Sequence, residues 1–355
     1  MGTIVFTGAG AAKADGLPLQ ADVFPRFFER ATSPSRCALA DDVAGFFQTV
    51  FSVDPRHTAA PLPTFEEALG VLELAASRDE IIVGLGSVSG PPRDFKRQLI
   101  LALAVSVARE SASTATHHAT LIRELRNSSR LQNTTFVTTN YDTLLDDAIE
   151  IEALVESRGT GSVINYGLGG LIDEDMTEFV EERTFACYKI HGSLNWLYCN
   201  SCEILDITHA SDGVLRLIDE PNAARCPTCE TIRTPIIVPP SYYKSMSRVP
   251  LGLVWTKAFQ AMRQADHLVF CGYSLPDADM HIKYLVKRAQ LNRDPRIQPL
   301  RVTLVNHFPG KPTRLSLDEK ERFSRFLGGI DVKDSGISFE EFAANPVSVV
   351  EQSGD

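Results

Sequence analysis

Five short apolar segments, each ending in a loop of glycine or polar residues, constrain the fold of this chain most strongly. They are residues 3–7, 134–139, 185–190, 267–271 and 301–305. Short runs of this kind are typical of strands buried on both faces of a parallel sheet. Helical patterns follow most of them. The sequence therefore predicts an α/β fold in which helices cover a doubly wound parallel sheet.

Four of the seven cysteines form two closely spaced pairs. Cys199 and Cys202 make one C-x-x-C pair, Cys226 and Cys229 make the other, and 23 residues separate the two pairs. Two such pairs supply the four thiolates of a closed zinc site, although a separation of about 15–20 residues is more usual. We therefore expect structural zinc without a catalytic role. The alternative is a chance occurrence of two pairs of free cysteines.

The same patterns predict how the chain is divided. Apolar residues recur at helical spacing between the first two predicted strands, and a capping box there begins at Thr64. This helical region is longer than a simple crossover needs. The predicted parts are a Rossmann-like domain of residues 1–30, 131–198 and 235–330, a helical insertion of residues 31–130, a zinc ribbon of residues 199–234, and a polar C-terminal appendage of residues 331–355 with little core of its own.

Charge and hydropathy exclude several classes of protein. The chain has 35 basic and 45 acidic side chains, for a formal net charge of −10. Non-specific nucleic-acid binding needs a surplus of basic side chains, so we expect no direct contact with nucleic acid. No apolar run reaches the roughly 18 residues of a membrane span, and the N-terminal residues do not resemble a secretory signal. We therefore expect a cytoplasmic protein with reduced cysteines.

Glycine and polar residues that directly follow the predicted strands are the candidate ligand-binding residues. In an open α/β sheet, the ligand crevice lies at the carboxyl ends of the strands. Glycines there allow the backbone to approach a phosphate, a histidine can act as a general base, and an asparagine can hold a ribose hydroxyl or a water. Taken singly, each residue is also explained by turn or helix-cap chemistry. The candidates are Gly8, Ala9, Gly10, Asn140, Asp142, His191, Gly272, Ser274 and Asn306.

In their order along the chain, these motifs resemble the sirtuin family. The ordered set is Gly-Ala-Gly at 8–10, Thr-Asn-Tyr-Asp at 139–142, His-Gly-Ser at 191–193, the two cysteine pairs, Gly-Tyr-Ser at 272–274 and Val-Asn at 305–306. The resemblance covers about residues 3–310, apart from the helical region. Within the family, the chain is most similar to bacterial sirtuin-like NAD hydrolases of antiphage defence. The residues after the first turn depart from those of the deacetylating sirtuins.

This resemblance implies a specific reaction and site. The enzyme would cleave the bond between nicotinamide and ribose in NAD, releasing nicotinamide and ADP-ribose. Asn140 would orient water or the ribose near the anomeric carbon, His191 would act as base, and Asp142 would contact the nicotinamide end or stabilise positive charge. The pyrophosphate would lie on the turns at residues 8–10 and 272–274, and Asn306 would contact a ribose.

The resemblance also implies control of the activity, because unregulated hydrolysis of NAD would kill the host. We expect a homo-oligomer, with the helical insertion as the contact region, and we expect a HerA-type ATPase as partner. Two other functions are compatible with the same motifs. One is an NAD-dependent deacylase or ADP-ribosyltransferase, which would release nicotinamide only with an acyl-lysine or an acceptor protein. The other is a sensor that binds NAD or ADP-ribose without turnover.

Overall fold

The computed structural model describes most of the chain, and the described residues form two compact units. Unit 1 comprises Met1–Gly16, Ser111–Ser193 and Met246–Asp355, and unit 2 comprises Leu17–Glu110 and Leu194–Ser245. The described residues are 2–58, 60–78, 80–82, 84, 92–108, 115–154, 164–169, 184–208, 212–220, 222, 224–237, 249–277 and 279–350.

Strands and helices alternate along much of the chain. The strands are β1 (Thr3–Thr7), β2 (Thr134–Thr138), β3 (Ile164–Asn165), β4 (Phe185–Lys189), β5 (Gly192–Tyr198), β6 (Leu205–Ile207), β7 (Thr234–Ile237), β8 (His267–Cys271), β9 (Arg301–Val305) and β10 (Val332–Asp334). The helices are α1 (Ala9–Ala14), α2 (Val23–Arg30), α3 (Pro34–Phe51), α4 (Phe65–Ser77), α5 (Pro92–Val107), α6 (His117–Asn127), α7 (Leu144–Leu154), α8 (Asp212–Asp219), α9 (Val249–Gln264), α10 (Met280–Leu291), α11 (Thr313–Leu327), α12 (Phe339–Ala344) and α13 (Val347–Val350). Among the described residues, no helix combines the length and the apolar character that crossing a bilayer requires.

Unit 1 is built on a seven-stranded sheet in the order β10-β9-β8-β1-β2-β4-β3. Neighbouring strands in this order pair in parallel. The central strands β1 and β8 are buried along their whole length, which explains their uninterrupted apolar sequences. The prediction of a parallel α/β sheet is confirmed, and each of the five predicted strands ends within one residue of its observed end. The strand order reverses at β1, and in open α/β sheets the carboxyl ends of the strands at such a point are where ligands bind.

The C-terminal segment belongs to the core of unit 1. Strand β10 pairs with β9 at the edge of the sheet, and α12 packs against α6. Phe339 and Phe342 are buried, and Ser338 begins α12 with a capping box. The expectation of an appendage with little core is therefore wrong for residues 331–350. Its polar composition concealed a short amphipathic helix. Residues 351–355 lie outside the described part.

Unit 2 combines helices with a three-stranded sheet in the order β6-β5-β7. Helix α5 packs against α2, α3, α4 and α8. The aromatic rings of Phe24 and Phe47 meet edge to face at 4.7 Å, and the ring of Phe46 lies 5.8 Å from that of Phe95. The unit boundaries differ from the predicted ones. Helix α2 lies in unit 2, whereas α6 lies in unit 1 because it packs on α7 and α12.

A buried histidine in the central sheet makes the fold sensitive to acid. His267 in β8 is 2% exposed, and its Nε2 lies 2.8 Å from Oγ1 of Thr303 on β9. Burial, together with the positive charges of Arg301 and Lys333, lowers the pKa of His267 from 6.5 to about 4. Between these two pH values the folded protein keeps His267 neutral, while the unfolded chain binds a proton. Stability is therefore lost as the pH falls through this interval.

We expect the substitution His267→Gln to reduce this acid sensitivity. One pKa unit corresponds to about 1.4 kcal/mol, so His267 should cost the wild type about 2 kcal/mol of unfolding free energy between pH 7 and pH 5. The glutamine variant should lack this loss, whatever its stability at pH 7. Urea denaturation at the two pH values measures it, with the exposed His307 changed to Gln as control. Equal losses in wild type and His267→Gln would contradict the prediction.

Candidate functional site

Two loops at the carboxyl ends of β1 and β8 pack directly against each other. The N–H of Gly8 donates to the carbonyl of Cys271, and the N–H of Gly10 donates to the carbonyl of Gly272, both at 2.9 Å. A Cβ on Gly10 would lie 2.8 Å from Cα of Gly272, and a Cβ on Gly272 would lie 2.0 Å from the backbone nitrogen of Ala11. Gly272 also has φ +62°, which disfavours any residue with a side chain.

The close packing of the two loops explains why Gly8, Gly10 and Gly272 are glycines. The sequence suggested that Gly8 and Gly10 allow a pyrophosphate to approach. In the structure their two amides are already bonded inside the protein. A phosphate contact at residues 8–10, including Ala9 at the start of α1, stays a prediction, and it cannot depend on those two amides.

Asn140 lies against the first of these loops. Its Nδ2 donates to the carbonyl of Gly8 at 2.9 Å, and its backbone N–H donates to Oγ1 of Thr138 at 3.0 Å. The side chain is half-buried. The amide group is therefore fixed at the carboxyl end of β2, against the turn that follows β1. Its contact with water or a ribose stays a prediction.

Asp142 lies two residues further along the same loop and is 9% exposed. Its Oδ1 accepts a hydrogen bond from the backbone N–H of Leu144 at 3.0 Å, which stabilises the first turn of α7. Asp142, rather than Asn140, therefore accepts the hydrogen bond that caps the start of α7. A contact between this carboxylate and a ligand stays a prediction.

His191 follows β4 and is 2% exposed. Its ring lies nearly parallel to that of Tyr141, with centroids 6.2 Å apart. The preceding residue is fixed as well, because Nε1 of Trp255 on α9 donates to the carbonyl of Ile190 at 2.7 Å. His191 and Asn140 therefore lie on adjacent loops, and Tyr141 is the contact between them.

The second turn is held by residues that follow β9. Oδ1 of Asn306 accepts from the backbone N–H of Tyr273 at 3.1 Å, and its Nδ2 donates to the Tyr273 carbonyl at 2.8 Å. Arg322 on α11 donates to the carbonyl of Ser274 at 2.8 Å. Asn306 thus positions the turn that contains Gly272 and Ser274. Its predicted contact with a ribose is not tested, and the amide is already engaged with the backbone.

A buried ion pair that was not predicted from the sequence lies next to the loop of Asn140. Lys189, at the end of β4, is fully buried, and its Nζ lies 2.6 Å from Oδ2 of Asp146 on α7. The same Nζ donates to the backbone carbonyl of Asp142. The hydroxyl of Tyr166 donates to the other oxygen of Asp146 at 2.6 Å. A lysine at the end of an otherwise apolar strand was the signal that could have revealed this pair.

Burial and charge act against each other at this pair. Burial, the largest single influence, would lower the pKa of Lys189, but the charge and hydrogen bond of Asp146, together with Cys187 and Asp142, outweigh burial and raise the pKa above its ordinary value. Burial and Asp146 together raise the pKa of the Tyr166 hydroxyl well above 10. Lys189 therefore remains an ammonium and Tyr166 a hydrogen-bond donor.

The four predicted zinc ligands cluster in unit 2. The sulfur atoms of Cys199, Cys202, Cys226 and Cys229 all lie within 4.8 Å of one another. The distances between Cys199 and Cys229 and between Cys202 and Cys226 are 3.4 Å and 3.9 Å. Tetrahedral zinc with Zn–S bonds of about 2.3 Å needs sulfur atoms about 3.8 Å apart. The cluster therefore fits a structural zinc ion.

The backbone around the two cysteine pairs repeats the same turn. The N–H of Glu203 donates to the carbonyl of Cys199, and the N–H of Glu230 donates to that of Cys226, both at 2.9 Å. Glu203 and Glu230 both have φ +58°. The repeated turn brings both pairs of thiols to the same place. This arrangement supports a metal site over a chance cluster of cysteines.

Comparison with known proteins identifies the family. The model of the SIR2-like domain matches residues 134–325, which is more than half of the chain. The chain belongs to the SIR2-like domain family. The matched part of this SIR2-like protein includes Asn140, Asp142, His191 and the four cysteines, whereas the turn at residues 8–10 precedes it. The predicted resemblance to sirtuins is confirmed at the level of the family.

Solved structures and curated proteins were compared as well. A structure described as "Structural Basis for the Mechanism and Regulation of Sir2 Enzymes" is 15% identical, with a TM-score of 0.41, and the match covers 98% of this chain and 91% of that one. One described as "Sir2-p53 peptide-NAD+" is 13% identical, with a TM-score of 0.39 and coverages of 98% and 92%. No curated protein matches.

We expect Gly272→Ala to destabilise unit 1 severely. The added methyl would overlap the backbone of Ala11, and relieving the overlap requires the two loops to separate. Gly336→Ala is the matched control, because Gly336 also has a positive φ of 69° but open space around it. The control should cost about 1–2 kcal/mol and Gly272→Ala at least about 4 kcal/mol, measured as the shift in urea denaturation. Similar shifts for both would refute the packing role of Gly272.

We expect the protein to contain about one zinc ion per chain, bound by the four cysteines. The substitution Cys226→Ser should abolish zinc retention and lower the thermal stability of unit 2, because the metal crosslinks two turns. Metal analysis of the purified protein and thermal unfolding measure these effects. The exposed Cys37, changed to Ser, is the control and should retain the metal. Full zinc occupancy in Cys226→Ser would contradict the assignment.

Proposed function

We propose that this SIR2-like protein is an NAD glycohydrolase, which cleaves the nicotinamide–ribose bond and releases nicotinamide and ADP-ribose. The observation that carries the proposal is the juxtaposition of Asn140 and His191 on adjacent loops, at the carboxyl ends of β2 and β4. The two loops meet through the rings of Tyr141 and His191, and Asn140 is bonded to the first glycine turn. Ligands bind at this edge of open α/β sheets.

The chemistry requires little beyond positioning and charge. Nicotinamide leaves as a neutral molecule, so the transition state has oxocarbenium character and positive charge develops on the ribose. Because the Gly8 carbonyl holds Nδ2 of Asn140, its Oδ1 can accept a hydrogen bond from water or a ribose hydroxyl. His191 acts as the base that removes a proton from the attacking water. The carboxylate of Asp142 stabilises the positive charge that develops on the ribose.

We further propose that the activity depletes cellular NAD during antiphage defence and is controlled by assembly. A cytoplasmic enzyme that destroyed NAD continuously would harm its own cell. The protein therefore acts as a homo-oligomer, or with a HerA-type ATPase, that permits cleavage only after infection. Support for this regulation comes from the sequence motifs shared with the defence branch of the family.

Chromatography of NAD incubated with the zinc-loaded protein tests the reaction. Nicotinamide and ADP-ribose should appear in equal amounts without acyl-lysine, in the protein alone or after addition of a HerA-type ATPase. Asn140→Ala and His191→Ala should each lower the rate by about 100-fold or more, because each removes one group that acts on the reacting centre. The exposed Asn133 and His307, each changed to Ala, are matched controls and should keep wild-type rates.

Other outcomes would assign the site differently. Release of nicotinamide only with an acyl-lysine peptide or an acceptor protein would indicate a deacylase or an ADP-ribosyltransferase. Measurable binding of NAD without products in any mixture would indicate a sensor. Either result would refute the proposed hydrolase.

A further inference from the structure

Lys189 is the most deeply buried charged side chain near the proposed site. It is completely inaccessible to solvent and lies at the end of β4, two residues before His191. Its Nζ has two kinds of partner: the carboxylate of Asp146 at 2.6 Å and the backbone carbonyl of Asp142. Asp146 is 2% exposed, and its second oxygen is held by the hydroxyl of Tyr166.

Stability alone does not account for such a pair. Removing two charges from water carries a large desolvation penalty, and replacing a buried ion pair with apolar residues of similar volume is often neutral or stabilising. An apolar residue at position 189 would also match the rest of β4, whose neighbours in the sheet are buried. The contact that apolar residues could not reproduce is the hydrogen bond from Nζ to the carbonyl of Asp142.

That hydrogen bond holds the backbone of one particular loop. The loop of residues 139–143 carries Asn140 and Tyr141, and Tyr141 lies against His191. Lys189 and His191 are on the same short segment at the end of β4. One ammonium group thus ties the segment of His191 to the loop of Asn140, while α7, through Asp146, anchors the ammonium.

We propose that Lys189 is a positioning residue, whose ammonium is held by Asp146 and fixes the 139–143 loop so that Asn140 and His191 keep their relative placement. The expected effect of Lys189 on catalysis rests on the proposed NAD hydrolysis, whereas its effect on the order of the 139–143 loop does not. Lys189 is too deeply buried to contact a substrate, and it acts only through the backbone of Asp142.

The test replaces both charges together, so that neither is left buried without a partner. In the variant Lys189→Met with Asp146→Asn, the side-chain volumes are nearly kept, the Tyr166 hydroxyl keeps an oxygen acceptor, and the bond from position 189 to the Asp142 carbonyl is lost. The matched control is Arg126→Met with Glu152→Gln. It removes another cation–carboxylate pair that holds α7, joined at 3.2 Å and remote from the loop in sequence. Amide hydrogen exchange, thermal unfolding and NAD cleavage are measured on the full chain.

We expect the Lys189 variant to exchange the backbone amides of Asn140 and Leu144 at least tenfold faster than the wild type. The amide of Asn140 donates to Oγ1 of Thr138, and the amide of Leu144 donates to Oδ1 of Asp142. The thermal midpoint should stay within about 5 °C of the wild type. The rate constant kcat should fall by roughly 100-fold with little change in KM, because small displacements of reacting groups cost rate more than binding. The control should match the wild type in loop exchange and kcat.

Three outcomes would overturn the proposal. The first is wild-type amide exchange in the 139–143 loop together with a wild-type kcat. The second is faster amide exchange throughout unit 1 together with a much lower thermal midpoint. The third is an equal increase in loop exchange in the Arg126 control. A wild type that cleaves no NAD refutes the proposed function, and loop exchange alone then decides the role of Lys189. If this variant does not fold, Lys189→Gln with Asp146→Asn, which keeps a hydrogen-bonding group at both positions but removes both charges, is judged by the same exchange measurement.

Discussion

The close packing of two backbone turns governs the geometry of unit 1. Strands β1 and β8 are adjacent and in register, so their carboxyl ends lead the chain into the same small space. Only residues without a Cβ permit the contact between Gly10 and Gly272, and the positive φ of Gly272 directs the chain away from β8. Because Asn140 is bonded to the same turn through the carbonyl of Gly8, the placement of the proposed site follows from this packing.

Buried basic side chains support the loops of unit 1, and each is bonded to a carboxylate that is itself mostly buried. They are Lys189 with Asp146, Lys311 with Glu319, and His118 with Asp15, all at 2.6 Å. The first holds the loop of Asn140, and the second holds the backbone carbonyl of Asn306, which in turn positions the second turn. The third follows α1. Burial alone would raise the pKa of Asp15, but its bonds to His118 and to nearby backbone amides lower it overall. Loops at strand ends lie outside the hydrogen bonds that join the strands of the sheet. Directional hydrogen bonds to buried side chains order these loops instead.

The sequence predicted the sheet well because the strands of a parallel sheet are buried on both faces. Such strands are recognisable in the sequence as continuous apolar runs. It predicted the cysteine cluster for a similar reason, since ligand spacing is a local property. It did not reveal structural roles that depend on partners distant in the chain. Asn306 holds the backbone of Tyr273, and Lys189 was not singled out because its partner Asp146 lies 43 residues away. The predicted ligand contacts of Asn306 and Asp142 stay predictions. The boundary of the helical region was misplaced because the partners of α6 lie beyond it in the sequence.

The proposed reaction is constrained more tightly in the bond that is broken than in the group that accepts the ribose. Cleavage between nicotinamide and ribose would produce the same developing positive charge whether water, an acyl oxygen or a protein side chain attacks. The charge-stabilising role proposed for Asp142 therefore suits all three reactions equally. What differs is the acceptor, and water is the only one that needs no binding groove of its own. His191, the proposed base, is buried and stacked on Tyr141, and a group held in this way is suited to activating a small acceptor at a fixed point. The proposed hydrolysis therefore requires no acceptor-binding groove in addition to these ordered loops.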